Sequence, residues 1–144
     1  MKIKRIYLES ATDRCGKTTL KSKLEKATNF KYHIVDRSTI SNRTYDIRYN
    51  RTENDSSNYD YLEDLDRDVS VVVYLYAHPD VIQERINRTN HEQIDIEKDM
   101  AASFKALQQT HYKNIIKIDT SFRSVESEVE TVILCIKQLE EQDD

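Results

Sequence analysis

The sequence predicts an α/β fold of three layers, in which a parallel sheet of about four strands lies between two layers of helices. Three observations support this. Short β-branched segments alternate with segments of helical periodicity along the chain. Residues 69–77 are almost continuously apolar, which is typical of a parallel strand covered on both faces. The length of 144 residues is that of one domain, so we expect residues 1–144 to form a single unit.

The first third of the chain predicts two strands and two helices. Residues 3–8 alternate in polarity and are rich in isoleucine and tyrosine, which favours a strand. Residues 17–27 place apolar side chains at helical spacing and contain neither glycine nor proline. A second short strand is predicted over 32–35. A helix is predicted over 38–48, with Ser38 in position to cap its first turn.

The middle of the chain predicts an exposed loop, a short helix and the central strand. Residues 52–60 are polar throughout and indicate a loop, and 61–66 are compatible with a short helix. The apolar strand over 69–77 follows. The next helix extends to residue 88 and begins with Pro79, which is well placed in a first helical turn.

The last third of the chain completes the alternation. After a polar break over 89–93, a long helix is predicted over 95–112, with apolar side chains along one side. Residues 114–118 predict the last strand. Residues 125–139 predict the last helix, whose valines and isoleucines share one face.

The composition bounds the class of protein. The chain is 38% hydrophobic and 33% charged, which is polar for a globular domain without being a disordered profile. No segment approaches the ~20 apolar residues of a membrane span, and the N-terminus lacks the pattern of a signal peptide. Cys15 and Cys135 lie far apart and belong to no metal-binding pattern. We therefore expect a cytoplasmic protein with reduced thiols and no membrane partner.

Residues 11–18, Ala-Thr-Asp-Arg-Cys-Gly-Lys-Thr, indicate a phosphate-binding loop between the first strand and the first helix. The usual pattern is glycine, four residues, then Gly-Lys-Ser/Thr; here Ala11 replaces the first glycine, so the strict pattern is not met. Lys17 would bridge the β- and γ-phosphates of ATP, and the Thr18 hydroxyl would hold Mg²⁺. Backbone N–H groups around the phosphates implicate the rest of the loop as cofactor-binding: Ala11, Thr12, Asp13, Arg14, Cys15, Gly16 and Thr19.

Glycine content and charge distribution both support this interpretation. The chain has a single glycine, Gly16, where average usage of ~7% would give about ten. All other turns of this chain are made without glycine, and its one glycine lies where the backbone is expected to approach a phosphate closely. Residues 1–52 hold 13 Lys/Arg against 5 Asp/Glu, whereas 53–144 hold 9 against 21. The basic first segment suits a polyanionic ligand.

Four segments in order resemble the thymidylate kinase family. Residues 8–19 resemble its phosphate loop, Glu-Gly-x-Asp-Arg-x-Gly-Lys-Ser/Thr-Thr. Residues 36–45, which begin Asp-Arg, resemble the family's Asp-Arg-Tyr segment at a strand end. Residues 73–86 resemble the following strand and the helix that leads to the lid, and 117–126 resemble the final strand and the adenine-side turn. The resemblance covers about half of the chain and implies a P-loop NTPase-type kinase that uses ATP and Mg²⁺.

The resemblance also implies roles for individual residues. Asp13 would face the acceptor, and Arg14 would reach the γ-phosphate from within the loop. Asp36 would lie near Mg²⁺, and Arg37 would bridge the donor and acceptor phosphates. Arg85 and Arg88 are candidates for phosphate contact at the approach to the lid. Thr120 belongs to the donor side, and the acceptor site would be lined by Ser41 and Tyr45. The four histidines suggest no catalytic cluster, and we expect them to be structural or surface residues.

The sequence departs from the family on the acceptor side. Only residues 28–31 separate the loop helix from the Asp-Arg strand, so a strand and helix that normally lie there are missing, and Asp46 replaces the glutamine that reads thymine. The expected sheet has four strands in the order 32–35, 3–8, 69–77, 114–118. Three functions stay open: a deoxynucleoside monophosphate kinase, a kinase acting on a nucleoside or on a modified nucleotide in DNA, and a nucleotide-binding regulatory protein. Related kinases are often homodimers, although no residue here indicates one.

Overall fold

The computed structural model describes residues 2–51 and 56–142 and has the predicted α/β architecture. Its four strands form one parallel sheet in the order β2-β1-β3-β4, which confirms the predicted fold and strand order. The elements, in chain order, are β1 (Arg5–Ser10), α1 (Lys17–Ala27), β2 (His33–Asp36), α2 (Thr39–Arg48), α3 (Ser56–Asp66), β3 (Ser70–Tyr76), α4 (Pro79–Arg88), α5 (Ile96–Gln109), β4 (Ile115–Asp119) and α6 (Val125–Glu141).

The largest departure from prediction is α3. The loop predicted over 52–60 is wrong from Ser56 onward, where the chain is already helical, while residues 52–55 lie outside the described part. The reason is tertiary: the Tyr59 hydroxyl donates to Asp46 at 2.7 Å, and Asp60 pairs with Arg43. These polar side chains bond to α2 rather than to water, which the local pattern does not reveal. The other elements differ only at their ends; α5, for example, stops at Gln109 rather than at 112.

Strand β3 lies at the centre of the sheet and is buried on both faces. Its residue Val73 pairs with Leu8 of β1 on one side and with Ile116 of β4 on the other. Alternate side chains of β3 pack into two cores. Val71, Val73 and Leu75 face α1, α4 and α6, whereas Val72 and Tyr74 face α2 and α5. No described helix is both long and apolar enough to cross a membrane.

A buried ion cluster joins α2 to α3. Glu63 is fully buried, and both of its oxygens accept from Arg43 at 3.0 Å. Thr39 and the backbone N–H of His111 also donate to Glu63, the latter at 2.7 Å. Burial alone would raise the pKa of Glu63, but the hydrogen bonds from Arg43, Thr39 and His111 outweigh it and the pKa is lowered.

A second buried carboxylate, Asp66, fastens the end of α3 to β1. Arg5 and Tyr7 both donate to it. Burial opposes ionisation of Asp66, yet these two donors lower its pKa overall. Both carboxylates are therefore held ionised at neutral pH by partners that the folded chain supplies.

We expect the chain to lose stability in acid because of these two groups. A carboxylate whose folded pKa is depressed stabilises the fold above its unfolded pKa of about 4, and this stabilisation is lost as the pH falls through the lower folded value. The melting temperature should therefore fall steeply below about pH 4. The Asp66→Asn variant should be less stable at neutral pH and show a shallower acid slope. Asp68→Asn, in the exposed turn after the same helix, serves as control. A melting temperature that is constant from pH 6 to pH 3 would contradict this.

Candidate functional site

The loop between β1 and α1 has the backbone geometry of an anion-binding site. Gly16 precedes the first turn of α1 with φ 85°, and Arg14 has φ 67°. A Cβ on Gly16 would meet no atom within 4 Å, so the left-handed backbone, and not crowding, is what favours glycine there. Left-handed residues at alternate positions turn backbone N–H groups toward one concavity, at the positive end of α1.

Ala11 shows why the first glycine of the pattern is dispensable in this chain. Its N–H donates to the Leu75 carbonyl at 2.8 Å, so the backbone continues the line of β1 beside β3. Ala11 is not among the residues with positive φ, and its methyl group is buried in the core beneath α2 and α5. A side chain is therefore accommodated at this position and contributes to packing.

One cleft of about 680 Å³ opens over this loop. It is bounded by the loop, the end of β2, helix α4 and the turn after β4. The structure brings most of the predicted site residues to this cleft: Thr12, Asp13, Arg14, Cys15, Gly16, Lys17, Thr18, Thr19, Asp36, Arg37, Arg85 and Thr120. Of the remaining predicted residues, all but Arg88 line a smaller adjoining cleft of about 210 Å³: Ala11, Ser41 and Tyr45, together with Asp13, Lys17 and Arg37.

Lys17 and Asp36 form an ion pair at the centre of the cleft. The Lys17 Nζ lies 2.9 Å from the Asp36 Oδ1, and the lysine side chain is 17% exposed against 53% for the aspartate. Lys17 begins α1 and Asp36 ends β2. Because β1 and β2 are neighbouring parallel strands, their carboxyl ends meet at one edge of the sheet and bring this pair together.

Arg85 ties three parts of the cleft together from α4. Its guanidinium donates to the Arg14 carbonyl at 2.8 Å and to the Thr120 carbonyl at 2.8 Å. Thr120 is itself fixed to β3, because its N–H donates to the Tyr76 carbonyl. Arg88 behaves differently: it is exposed, pairs with Glu84 and does not line the cleft.

Arg14 and Arg37 are the cations left available for a ligand. Within residues 2–51 and 56–142, neither side chain has a hydrogen-bond or ion-pair partner. Both residues have a positive φ, 67° and 75°, and the Arg37 N–H is anchored to the Leu8 carbonyl at 2.9 Å. Arg37 lies where the main cleft meets two clefts beside α2. Both arginines thus adopt a backbone conformation that favours glycine, and both line the cleft.

Glu9 is a site residue whose role the sequence does not reveal. It is 3% exposed, and its carboxylate accepts from the backbone N–H groups of Ser38 and Ser41, at 2.7 and 3.0 Å, and from both serine hydroxyls at 2.6 Å. Glu9 therefore caps α2 and fixes the segment that carries Asp36 and Arg37. Its place within the phosphate-loop segment was the only signal available.

The acceptor-side residues are arranged around α2. The Ser41 hydroxyl is bonded to Glu9, so it supports the wall of the cleft as well as lining it. Tyr45 is 48% exposed, and the Arg51 guanidinium stacks 4.5 Å from its ring centroid. Tyr49 packs beside Tyr45 with a centroid distance of 4.7 Å. This side of the site is open and combines arginine with aromatic rings.

His91, which the sequence predicts to be a structural or surface residue, lies at the cleft. It lies in the loop between α4 and α5, lines the main cleft, and places its Nε2 3.7 Å from the Asp13 Oδ2. The loop between α4 and α5 therefore touches the phosphate loop at Asp13.

Two further features bear on the chemistry. Burial raises the pKa of the Cys15 thiol, so this cysteine is neutral at physiological pH and packs as a small apolar group. The described residues contain no group of three or more His, Cys, Asp or Glu side chains that could hold a metal ion. Thr18 and Asp36 both line the cleft, and their oxygens fit Mg²⁺, which is commonly held by one or two protein oxygens together with substrate phosphates.

No family model matches the sequence, and no curated protein matches it. Among solved structures, the fold is similar to that of the YorR protein from Bacillus subtilis, whose crystal structure is of a complex with phosphorylated GDP. The TM-score is 0.82 at 20% sequence identity, over 97% of this chain and 99% of that chain. This likeness shows the fold.

Proposed function

We propose that the chain is an ATP-dependent phosphotransferase that transfers the γ-phosphate of Mg-ATP to a deoxynucleoside monophosphate. The observation that carries this proposal is the convergence of Lys17, Thr18, Asp36 and two unpaired arginines on one cleft above a phosphate-binding loop. The similarity in fold to YorR, which was crystallised with phosphorylated GDP, supports a nucleotide as ligand.

The donor would bind with its phosphates against the loop N–H groups at the start of α1. Lys17 would exchange its Asp36 partner for β- and γ-phosphate oxygens. Asp36, once released, would join Thr18 in holding Mg²⁺, directly or through water. When bound, this ion neutralises part of the phosphate charge.

Transfer requires little beyond positioning and charge compensation. The bond between the γ-phosphorus and the bridging oxygen breaks and leaves its electron pair on ADP, while an acceptor phosphate oxygen forms the new bond to phosphorus. Arg14 would stabilise the equatorial oxygens of the transferring group, and Arg37 would hold donor and acceptor phosphates together. Asp13, at the junction of the two clefts, would orient the acceptor.

A second candidate, a kinase that acts on a nucleoside or on a nucleotide within DNA, is favoured by the open acceptor side. There Tyr45, 48% exposed, lines a cleft with Arg37 and Arg51, and Tyr49, 55% exposed, packs beside Tyr45. Exposed aromatic rings among arginines suit a single-stranded polynucleotide. A regulatory protein that binds nucleotide without turnover is the third candidate, and the free Arg14 and Arg37 argue against it.

The test is acceptor-dependent ADP release from Mg-ATP over a panel of nucleosides, nucleoside monophosphates and oligodeoxynucleotides. We expect ADP release with a monophosphate. The Lys17→Ala variant should lose about 10²–10³-fold in kcat/KM, because one preorganised charge on the phosphates is removed. Lys21→Ala, one helical turn further along α1 and paired with Glu25, is the matched control and should behave as the parent protein.

Each outcome of this assay selects one candidate. ADP release only with an oligodeoxynucleotide or a nucleoside would support the second candidate and contradict the first. ATP binding without ADP release from any acceptor would favour the regulatory candidate. If Lys17→Ala bound ATP as tightly as the parent chain, the phosphate loop would be assigned wrongly.

A further inference from the structure

A buried carboxyl group lines the cleft far along the chain from the phosphate loop. Glu128 lies in the first turns of α6, is only 5% exposed, and borders the main cleft together with Thr120, Arg123 and Val125. In the part of the chain that the structure describes, no hydrogen-bond donor and no cation within ion-pair distance is paired with its side chain. Buried carboxyl groups are almost always partnered, because removal from water is otherwise unfavourable.

The two nearest cations are engaged elsewhere. Arg85 and Arg123 are close enough to Glu128 to lower its pKa, but burial dominates and the pKa is raised. The Arg85 guanidinium donates to the backbone carbonyls of Arg14 and Thr120. The Arg123 guanidinium donates to the hydroxyls of Ser127 and Thr131. The protein thus places positive charge near Glu128, while the carboxyl oxygens accept no hydrogen bond from the described residues and are accessible from the cleft.

Glu128 is not needed to stabilise the start of α6. The Ser124 hydroxyl already caps this helix by accepting from the Ser127 N–H at 3.1 Å. Glu126, which is exposed and lies 3.6 Å from Lys23, supplies a negative charge to the same first turn. Neither helix capping nor the helix dipole therefore accounts for a second, buried carboxyl group here.

We propose that Glu128 reads the base of the bound nucleotide, accepting a hydrogen bond from the amino group of a purine whose phosphates lie on the loop at residues 11–18. This inference rests on the proposed function, since it assumes that the cleft holds a nucleotide. The half-buried Val125 beside it would provide apolar contact for the ring. Glu128 is then a specificity-determining residue, whose missing partner is the ligand.

The chemistry suits two purines in different ways. An ionised carboxylate accepts from two adjacent donors of guanine, the ring N1–H and the 2-amino group. A protonated carboxyl group accepts from the 6-amino group of adenine and donates to its N1. Both interactions use an amino group of the purine, and the unsubstituted purine ring offers the carboxyl group no donor.

The test is calorimetric binding of four probes with Mg²⁺: ATP, GTP, purine riboside triphosphate and inorganic tripolyphosphate. We expect the parent chain to bind ATP or GTP at least about tenfold more tightly than purine riboside triphosphate. The E128A variant should lose this preference while binding of the two other probes stays unchanged. E128Q separates the purines, because an amide can still accept from and donate to adenine but cannot accept twice from guanine.

Matched controls keep the result interpretable. E126Q changes an exposed glutamate in the same helical turn and should leave all four affinities unchanged. Both Glu128 variants should melt no lower than the parent chain without ligand, because they remove a buried carboxyl group that has no partner. An unchanged purine preference in E128A would overturn this inference alone. Failure of every probe to bind would overturn the proposed function and this inference with it.

Discussion

Replacing Arg14 with alanine is expected to lower turnover by about 10³-fold, while the dissociation constant of Mg-ATP changes by less than about tenfold. The Arg14 side chain lines the cleft without a partner among the described residues, and its backbone is held by the bond from Arg85 to its carbonyl. An arginine that acts mainly on the transferring phosphoryl group stabilises charge that develops only during transfer. Single-turnover kinetics with the acceptor identified in the ADP assay would measure the effect.

The control for Arg14 is Arg67→Ala, which should leave the kinetics unchanged. Arg67 is an exposed arginine beside Asp64 in the turn before β3, at the amino ends of the strands and away from the cleft. Arg14→Lys should recover only part of the rate, because an ammonium group lacks the planar fork of the guanidinium. Equal losses in ATP affinity and in turnover would remove the role of Arg14 in transfer and leave it as a binding residue.

The Arg43→Ala variant is expected to lose about 3–5 kcal/mol of unfolding free energy, because it leaves Glu63 as an uncompensated buried charge. Arg43 contacts Glu63 through two hydrogen bonds of 3.0 Å, and both side chains are almost completely buried. Thr39 and the His111 N–H would remain as neutral partners. Urea unfolding at neutral pH would measure the loss.

The double variant Arg43→Met with Glu63→Met tests the origin of that loss. Removing both charges should recover most of the stability, since replacing a buried pair with apolar side chains of similar volume is often close to neutral. A loss below about 1 kcal/mol in Arg43→Ala, or no recovery in the double variant, would show that the cluster does not hold α3 in place.

The fold could be predicted because its strongest signals are local. The apolar segment of β3, the helical spacing in α1 and the turn signal at Pro79 each belong to one element and need no distant partner. Strand order followed from resemblance together with the missing segment before β2. Helix α3 could not be predicted from its first residue, because its polar side chains are satisfied by Arg43 and Asp46 of another helix.

The same distinction applies to the site. Lys17 was assigned from the phosphate-loop pattern and Asp36 from the resemblance, and the structure pairs them because the parallel strands β1 and β2 end at the same edge of the sheet. Glu9 and Glu128 could not be assigned, since burial and partners decide what a glutamate does and neither is encoded in spacing. His91 was missed for a related reason: its contact with Asp13 depends on the path of a loop.

The ion pair of Lys17 with Asp36 affects which anions can bind at the site. Any anion that enters has to compete with a carboxylate already held 2.9 Å from the ammonium group. A monovalent anion offers Lys17 a single negative charge, as Asp36 already does. A triphosphate that enters with a divalent cation would supply partners for both residues, because its oxygens would contact the lysine and the cation would contact the aspartate. Under the proposed function, Asp36 would therefore compete with small anions for Lys17 and would favour the joint entry of a cation and a polyphosphate.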